Sequence, residues 1–367
     1  MKIARARVYR YTLPLRQPLL LAGRPLTARS GLLLRLCSEE GMDGWGEAAP
    51  LPGFSRESAE QAQEALVACA RALGGHPLPD DFCQLQTQGL VEPLQCASVS
   101  FAAETAVLNL RAAMAGRPLS RTLVAQAPRT VSVNALLSGT PDKVLDKARG
   151  LASQGYRAAK LKVGQRQLGA EIGCVQQVRA ALGAELALRL DANRAWHLDT
   201  ALAFGRGVQD CGIDYIEEPV QDPHDLEAFL DETGIPYALD ETLQRKNELA
   251  REKLYAVCAR ARAAVLKPTL LHSPGMLAMM LQAGLPCEQI VVSAAFESGV
   301  GIAALAQYAA VLSGADIPAG LDTYGWLAED VLEERLPVGT GVLELDAIDR
   351  LARGVAMDRL DTVWDGD

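Results

Sequence analysis

The feature that most limits how this chain can fold is a beat that starts near Thr130 and recurs to about Asp322. A short, almost wholly apolar run is followed by an amphipathic stretch, and the pair repeats. The runs cover residues 130–135, 158–163, 186–191, 215–218, 236–240, 263–267 and 290–293, with a weaker eighth at 317–322. Runs that are apolar on both faces suit strands of a parallel sheet covered on each side. Stretches with helical spacing fill the gaps, for example residues 141–153, 171–182, 200–210 and 299–312. Alternation in this number predicts a closed α/β barrel rather than an open sheet. No G-x-G-x-x-G loop follows any run, which speaks against dinucleotide binding.

The chain before this beat has a different texture. Short alternating runs up to Leu36 predict antiparallel strands, and Gly44-Trp45-Gly46-Glu47 leads into a Pro- and Gly-rich loop, Pro50-Leu51-Pro52-Gly53-Phe54-Ser55. Helical spacing follows over 58–73 and again over 99–114. The expected organisation is an α+β capping domain over residues 1–116, a barrel over 117–325, and a C-terminal segment, 326–367, that packs back on the cap. Within that segment the apolar pieces 341–345 and 354–357 are the expected return strands.

Composition narrows the function classes. A net charge of -9 speaks against a nucleic-acid partner, although one cleft can still attract an anionic small molecule. The basic stretch over 5–16 lacks a following apolar core, and no run approaches the ~20 apolar residues of a membrane span, so a cytoplasmic protein without membrane contact is expected. The cysteines (Cys37, Cys69, Cys83, Cys96, Cys174, Cys211, Cys258, Cys287) are scattered singly, and the only histidines are His76, His197, His224 and His272. Small buried thiols fit this pattern better than disulfides or zinc.

Polar residues at the ends of otherwise apolar strands carry the chemistry, because the site of such a barrel lies at the C-terminal ends of its strands. Three consecutive runs end in acids: Asp191, then Glu217, then Asp240. Neighbouring strands lie only ~5 Å apart, so these like charges call for a cation, and a hard divalent ion such as Mg²⁺ suits oxygen donors. Lys160 and Lys162 share one face of their strand, and Lys267 ends another on the opposite side. A lysine beside a metal and a second cation has reason to carry a lowered pKa and act as a base. Metal plus lysine suits removal of a proton next to a carboxylate.

These residues, read as an ordered set, resemble the enolase superfamily in its muconate-lactonizing branch, and within it the o-succinylbenzoate synthase family. The resemblance runs over nearly the whole chain. It rests on the Gly44–Glu47 and Pro50–Ser55 motifs, Lys160-Leu161-Lys162, Asp191-Ala192-Asn193-Arg194-Ala195-Trp196, Glu217-Glu218-Pro219, Asp240-Glu241, Lys267-Pro268-Thr269 and Gly320-Leu321-Asp322-Thr323. It implies a modified TIM barrel, (β/α)7β, whose cap is completed by C-terminal segments. It implies Mg²⁺-dependent dehydration of 2-succinyl-6-hydroxy-2,4-cyclohexadiene-1-carboxylate to o-succinylbenzoate, a step of menaquinone biosynthesis, through a metal-stabilised enediolate. Lys162 would be the base, Lys267 would face it across the site, and Lys160 would hold the substrate carboxylate. Asp191, Glu217 and Asp240 would be the metal ligands, with Asn193 and Glu241 behind them. Pro52, Phe54, Ser293, Glu297, Ser298 and Gly320 would touch the substrate, together with a loop over 19–29. Alanines at 294 and 295 depart from the serines common in the family, and the start of the next helix is expected to receive the succinyl carboxylate. An N-succinylamino acid racemase or dipeptide epimerase remains the alternative, and monomer and homo-oligomer stay equally open.

Overall fold

A computed structural model describes residues 2–21, 23–79, 84, 96–244, 249–271 and 288–366. Its N-terminal part is a four-stranded antiparallel sheet. Strands β1 (Ile3–Leu21) and β2 (Arg24–Ser38) form a long hairpin, and β3 (Asp43–Ala48) pairs with β2. The expected loop over 19–29 is largely part of this hairpin, because Leu19 pairs with Leu26 and Leu21 with Arg24; Ala22 lies outside the described residues.

Helices α1 (Ala59–Leu73) and α2 (Ala97–Ala115) pack against the sheet. Ser58 and Gln61 form a reciprocal capping box that starts α1. The glycines of the Gly44–Glu47 motif have a packing role. A Cβ at Gly46 would sit 1.9 Å from the Ala102 carbonyl, and one at Gly44 would sit 2.2 Å from that of Ala106. Only glycine lets α2 lie so close to β3, and the period of two then turns Trp45 and Glu47 to the other side of the strand.

The second part is the parallel barrel. Strands β5 (Ala135–Leu137), β6 (Ala158–Lys162), β7 (Ala187–Asp191), β8 (Ile213–Glu217), β9 (Tyr237–Leu239), β10 (Ala263–Leu266) and β11 (Gln289–Val292) lie side by side in chain order. The weak eighth run closes the ring. Ala319 bridges to Val133 and Gly320 to Ser293, both parallel. The architecture is therefore a modified TIM barrel with an N-terminal antiparallel cap.

Two strand expectations needed correction. The first run splits: β4 (Thr130–Ser132) leaves the barrel to pair antiparallel with β12 (Val342–Glu344), so the 341–345 piece joins the barrel side instead of the cap. Val355 of the 354–357 piece bridges Leu332. The segment that returns to the cap is β13 (Asp361–Asp365), which places Arg7 opposite Asp365. Three of its five residues are charged or polar at an exposed edge, so hydrophobic periodicity did not reveal it. Cys37, Cys69, Cys96, Cys174, Cys211 and Cys258 are free thiols, four of them buried; Cys83, Cys287 and His272 lie outside the described residues.

Candidate active site

Parallel register brings the predicted acids and lysines together. Lys162 stands beside Asp191, Asp191 beside Glu217, and Glu217 beside Ala238, two residues before Asp240. Asp191, Glu217 and Asp240 are all fully buried. Ammonium groups lie among them. Lys160 Nζ is 2.8 Å from both Asp191 Oδ2 and Glu217 Oε2, Lys162 Nζ donates to Asp191 Oδ2 and Asn193 Oδ1 at 2.6 Å each, and Lys267 pairs with Asp240. Asn193 also donates to Glu241 Oε1 at 3.0 Å.

At Lys160 and Lys267 the surrounding carboxylates act against a lowered lysine pKa. Burial works against the Lys160 ammonium, but Asp191 and Glu217 outweigh it and hold its pKa well above the ordinary lysine range. Burial likewise opposes the Lys267 ammonium, and Asp240 and Glu217 outweigh it. Among the carboxylates, burial and the neighbouring Asp191 push Glu217 up to about 8, whereas the lysines overcome burial and hold Asp191 below the usual carboxylate range. Burial and Asp240 push Glu241 up to about 7.

A brace beneath the acids was not anticipated. Glu218 accepts from the backbone N–H groups of Asp240 and Thr242 at 2.8 and 2.7 Å, and Arg194 joins it to the Thr242 hydroxyl. Asn193, Arg194 and Glu218 all have positive φ, 45°, 59° and 45°. Three non-glycine residues in that sparse region sit beside the acids, which is where strain tends to gather in enzymes. The adjacent acids in Glu217-Glu218-Pro219 were the available signal: period two sends one into the lumen and the other away from it.

The predicted substrate contacts divide. Pro52 and Phe54 are exposed, on a loop that Arg56 ties to the Gln244 carbonyl at 2.9 Å, close to the Asp240 strand end. Ser293 and Gly320 face each other across the closing strands, and a Cβ on Gly320 would sit 2.5 Å from Ser293 Oγ. Ser298 and Glu297 are fully buried and engaged by protein groups. The Ser298 N–H and hydroxyl both go to Glu47, Gly301 N–H also goes to Glu47, and Gly299 N–H goes to Asp330. The start of this helix (α11, Gly299–Leu312) is thus closed by two protein carboxylates, which corrects the expectation that it receives a substrate anion. The hint was Gly299-Val300-Gly301: side chains at either glycine would collide with Asp330 or Glu47.

Two family models match the chain, one described as enolase C-terminal domain-like over residues 143–356 and one as MenC, N-terminal domain, over 3–108. The o-succinylbenzoate synthase of Klebsiella pneumoniae (strain 342) is 33% identical over 362 residues, 94% of this chain and 99% of its own. That of Escherichia coli O157:H7 is 35% identical over 357 residues, with the same coverage. The chain belongs to the o-succinylbenzoate synthase family of the enolase superfamily.

It is thereby an enzyme, of the lyase class. The protein PHYLLO of Arabidopsis thaliana is 34% identical over 344 residues, but this chain spans only 20% of its length. Among solved structures, the L-Ala-D/L-Glu epimerase from Bacillus subtilis superposes with TM-score 0.77 at 26% identity, covering 93% of this chain and 96% of its own. The N-succinyl Arg/Lys racemase from Bacillus cereus ATCC 14579 has TM-score 0.78 at 20% identity, covering 100% and 99%, and shows the shared fold.

Members of this superfamily are generally dependent on a divalent metal. Among the described residues the acids do not stand as a ready-made metal cage; each lies beside a lysine ammonium. The donor set nonetheless fits a hard cation. Three fully buried carboxylates lie on adjacent strands, and burial together with the neighbouring Asp191 raises the Glu217 pKa, so a cation among them would offset the repulsion between the acids. No described helix is long and apolar enough to cross a membrane.

Proposed function

We propose that this enzyme dehydrates 2-succinyl-6-hydroxy-2,4-cyclohexadiene-1-carboxylate to o-succinylbenzoate, as a step of menaquinone biosynthesis in the cytoplasm. The observation that carries the reading is the row of Asp191, Glu217 and Asp240 in register, flanked by Lys160 and Lys162 on one side and Lys267 on the other. Full-length similarity to o-succinylbenzoate synthases supports the substrate. In this reading Asp191, Glu217 and Asp240 hold Mg²⁺, with Asn193 and Glu241 orienting them. The bound cation supplies positive charge against which the substrate carboxylate is polarised.

The chain's own residues do the rest. Lys160 binds the substrate carboxylate, and Lys267 offers a second positive charge across the site. Lys162, as the free amine, removes the proton next to that carboxylate. It then returns the proton to the departing hydroxyl, so that one C–H and one C–O bond break, one C=C forms and water leaves. The unit of residues 1–116 and the segment 326–367 act as a cap over the barrel of 117–325, with Pro52 and Phe54 shielding the mouth from water and Ser293 and Gly320 shaping its far wall. The partner is a small carboxylate, with no nucleic acid or membrane involved.

The test is to incubate the purified enzyme with the cyclohexadiene and Mg²⁺ and follow o-succinylbenzoate by absorbance. Formation that stops on chelation and resumes on adding Mg²⁺ is expected, and no formation overturns the reading. A second activity, racemisation of N-succinyl amino acids or epimerisation of dipeptides, is favoured by the placing of Lys162 and Lys267 on opposite sides of the row of acids. Deuterium uptake at the α-carbon of N-succinyl amino acids detects it.

A further inference from the structure

One residue of the loop after β11 is held in a conformation it would not choose. Phe296 has φ 66°, in the left-handed region, where a bulky side chain is an outlier. Its backbone is pinned from both sides. Glu297 accepts from Ala295 N–H at 2.6 Å and from the Thr269 hydroxyl at 2.5 Å. Glu47 reaches across from the cap and accepts from Ser298 N–H at 2.9 Å, Ser298 Oγ at 2.5 Å, Gly301 N–H at 2.7 Å and the Tyr11 hydroxyl. Arg29, 2% exposed, donates to the carbonyls of Ala49 and Pro50 at 2.6 and 2.8 Å and reaches that of Ala295 at 3.4 Å. The same guanidinium therefore joins the root of the Pro50–Ser55 loop to the end of the seventh barrel strand.

The ring so placed is only half-buried and meets Trp326 edge to face, with centroids 6.2 Å apart and planes at 87°. Trp326 in turn lines a cleft of about 250 Å³ with Arg16, Gln17, Leu136, Ser138 and Asp322. Leu136 is the register partner of Lys160, and Ser138 follows directly on the C-terminal end of that strand. Trp326 thus borders open space between the cap hairpin and the ends of the first and eighth barrel strands, and Phe296, on the loop that follows the seventh strand, packs against it at the same C-terminal end of the barrel. A strained residue persists only where its surroundings over-determine it, and here Thr269, Glu47 and Arg29 hold the residues on either side. Packing alone gives no reason for the strain, because a glycine would adopt this backbone freely.

We infer that Phe296 is a specificity-determining residue whose ring, with Trp326, forms the aromatic wall of the substrate pocket, and that Arg29 and Glu47 are positioning residues that hold it there from the cap. The wall suits the flat, unsaturated ring of a cyclic carboxylate. The inference rests on the dehydration proposed above, and wild-type turnover is measured first so that the two can fail separately.

The experiment compares Phe296→Gly with Phe296→Ala, and adds Glu47→Gln. Both Phe296 variants lose the ring, but only glycine relieves the backbone, so Phe296→Gly should melt about 2 °C above Phe296→Ala. Both should raise KM for the cyclohexadiene by about ten-fold while kcat changes by less than about two-fold. Glu47→Gln should move KM in the same direction; a role confined to stability would lower Tm and leave KM alone. Affinity for o-succinylbenzoate in the presence of Mg²⁺, measured by calorimetry, should fall in parallel. Unchanged KM and product affinity in both Phe296 variants of an active enzyme overturn the assignment. So does a Phe296→Ala melting point equal to or above that of Phe296→Gly, whichever substrate the wild type turns over. Absence of wild-type dehydration overturns the proposed reaction instead.

Discussion

Two groups of polar residues stand at strand ends of the same barrel, and their situations differ. On β6 to β10, Lys160, Lys162, Asp191, Glu217, Asp240 and Lys267 stand at the strand ends, where the acids pair with the ammonium groups and Asn193 and Gln244 add single hydrogen bonds. After β11, Glu297 and Ser298 are equally buried, yet backbone amides, hydroxyls and the cap's Glu47 meet their needs. In the first group several acids crowd one another, and burial with the neighbouring Asp191 pushes Glu217 up to about 8. The second is saturated. Burial of a polar residue is therefore not by itself a sign of chemistry; several buried acids and lysines gathered at adjacent strand ends are.

The largest expected effect belongs to the first group. Lys162→Ala should lower dehydration by about 10³-fold or more with an unchanged circular-dichroism spectrum, and a loss under about ten-fold would remove Lys162 from the role of base. Next, Asp240→Asn should weaken Mg²⁺ activation by about 10–100-fold, read as a shift of the half-activating concentration; an unshifted midpoint would break the assignment of the acids to the cation.

The second group should answer in stability. Glu47→Gln turns an amide NH₂ toward donors that need an acceptor, which should cost about 1–3 kcal/mol in denaturant unfolding. A neutral result would show that the helix start finds another partner.

The smallest effect is a slope. Burial pushes the Glu47 carboxyl up to about 7 from 4.5, against the opposing hydrogen bonds from Ser298 and Tyr11. The folded state then binds more protons than the unfolded one between those values. This component is fully present below the ordinary carboxylate range and is lost as pH rises through about 7, by up to about 3 kcal/mol. Unfolding of Glu47→Gln should accordingly depend less on pH between about 5 and 7; an identical slope would place the titration elsewhere.

Much of the fold was legible because its signals are local. Apolar runs marked six barrel strands, β6 to β11, to within a few residues, and helix α11 begins and ends where its spacing places it, at Gly299 and Leu312. The strand-end acids and lysines were readable for the same reason, since a charge at the end of an apolar run has few structural uses. β13 was not legible, because an exposed polar edge strand has no periodic signature, and its partner β1 lies at the far end of the chain. Nor was the splitting of the first run, which depends on Val342–Glu344 lying beside Thr130–Ser132.

The sequence by itself determined the barrel beat, the order of the acids and lysines along it, and the glycines that let α2 approach β3. Each follows from residue type and spacing within a short window. Only the tertiary structure decided which polar groups stay available. It set Glu47 on the start of α11, Arg29 between two loops, and Phe296 in a left-handed turn beside Trp326. Those outcomes depend on contacts between the cap and the barrel some 250 residues apart, such as Ser298 with Glu47 at a separation of 251. No local pattern encodes whether a distant carboxylate arrives to fill a site.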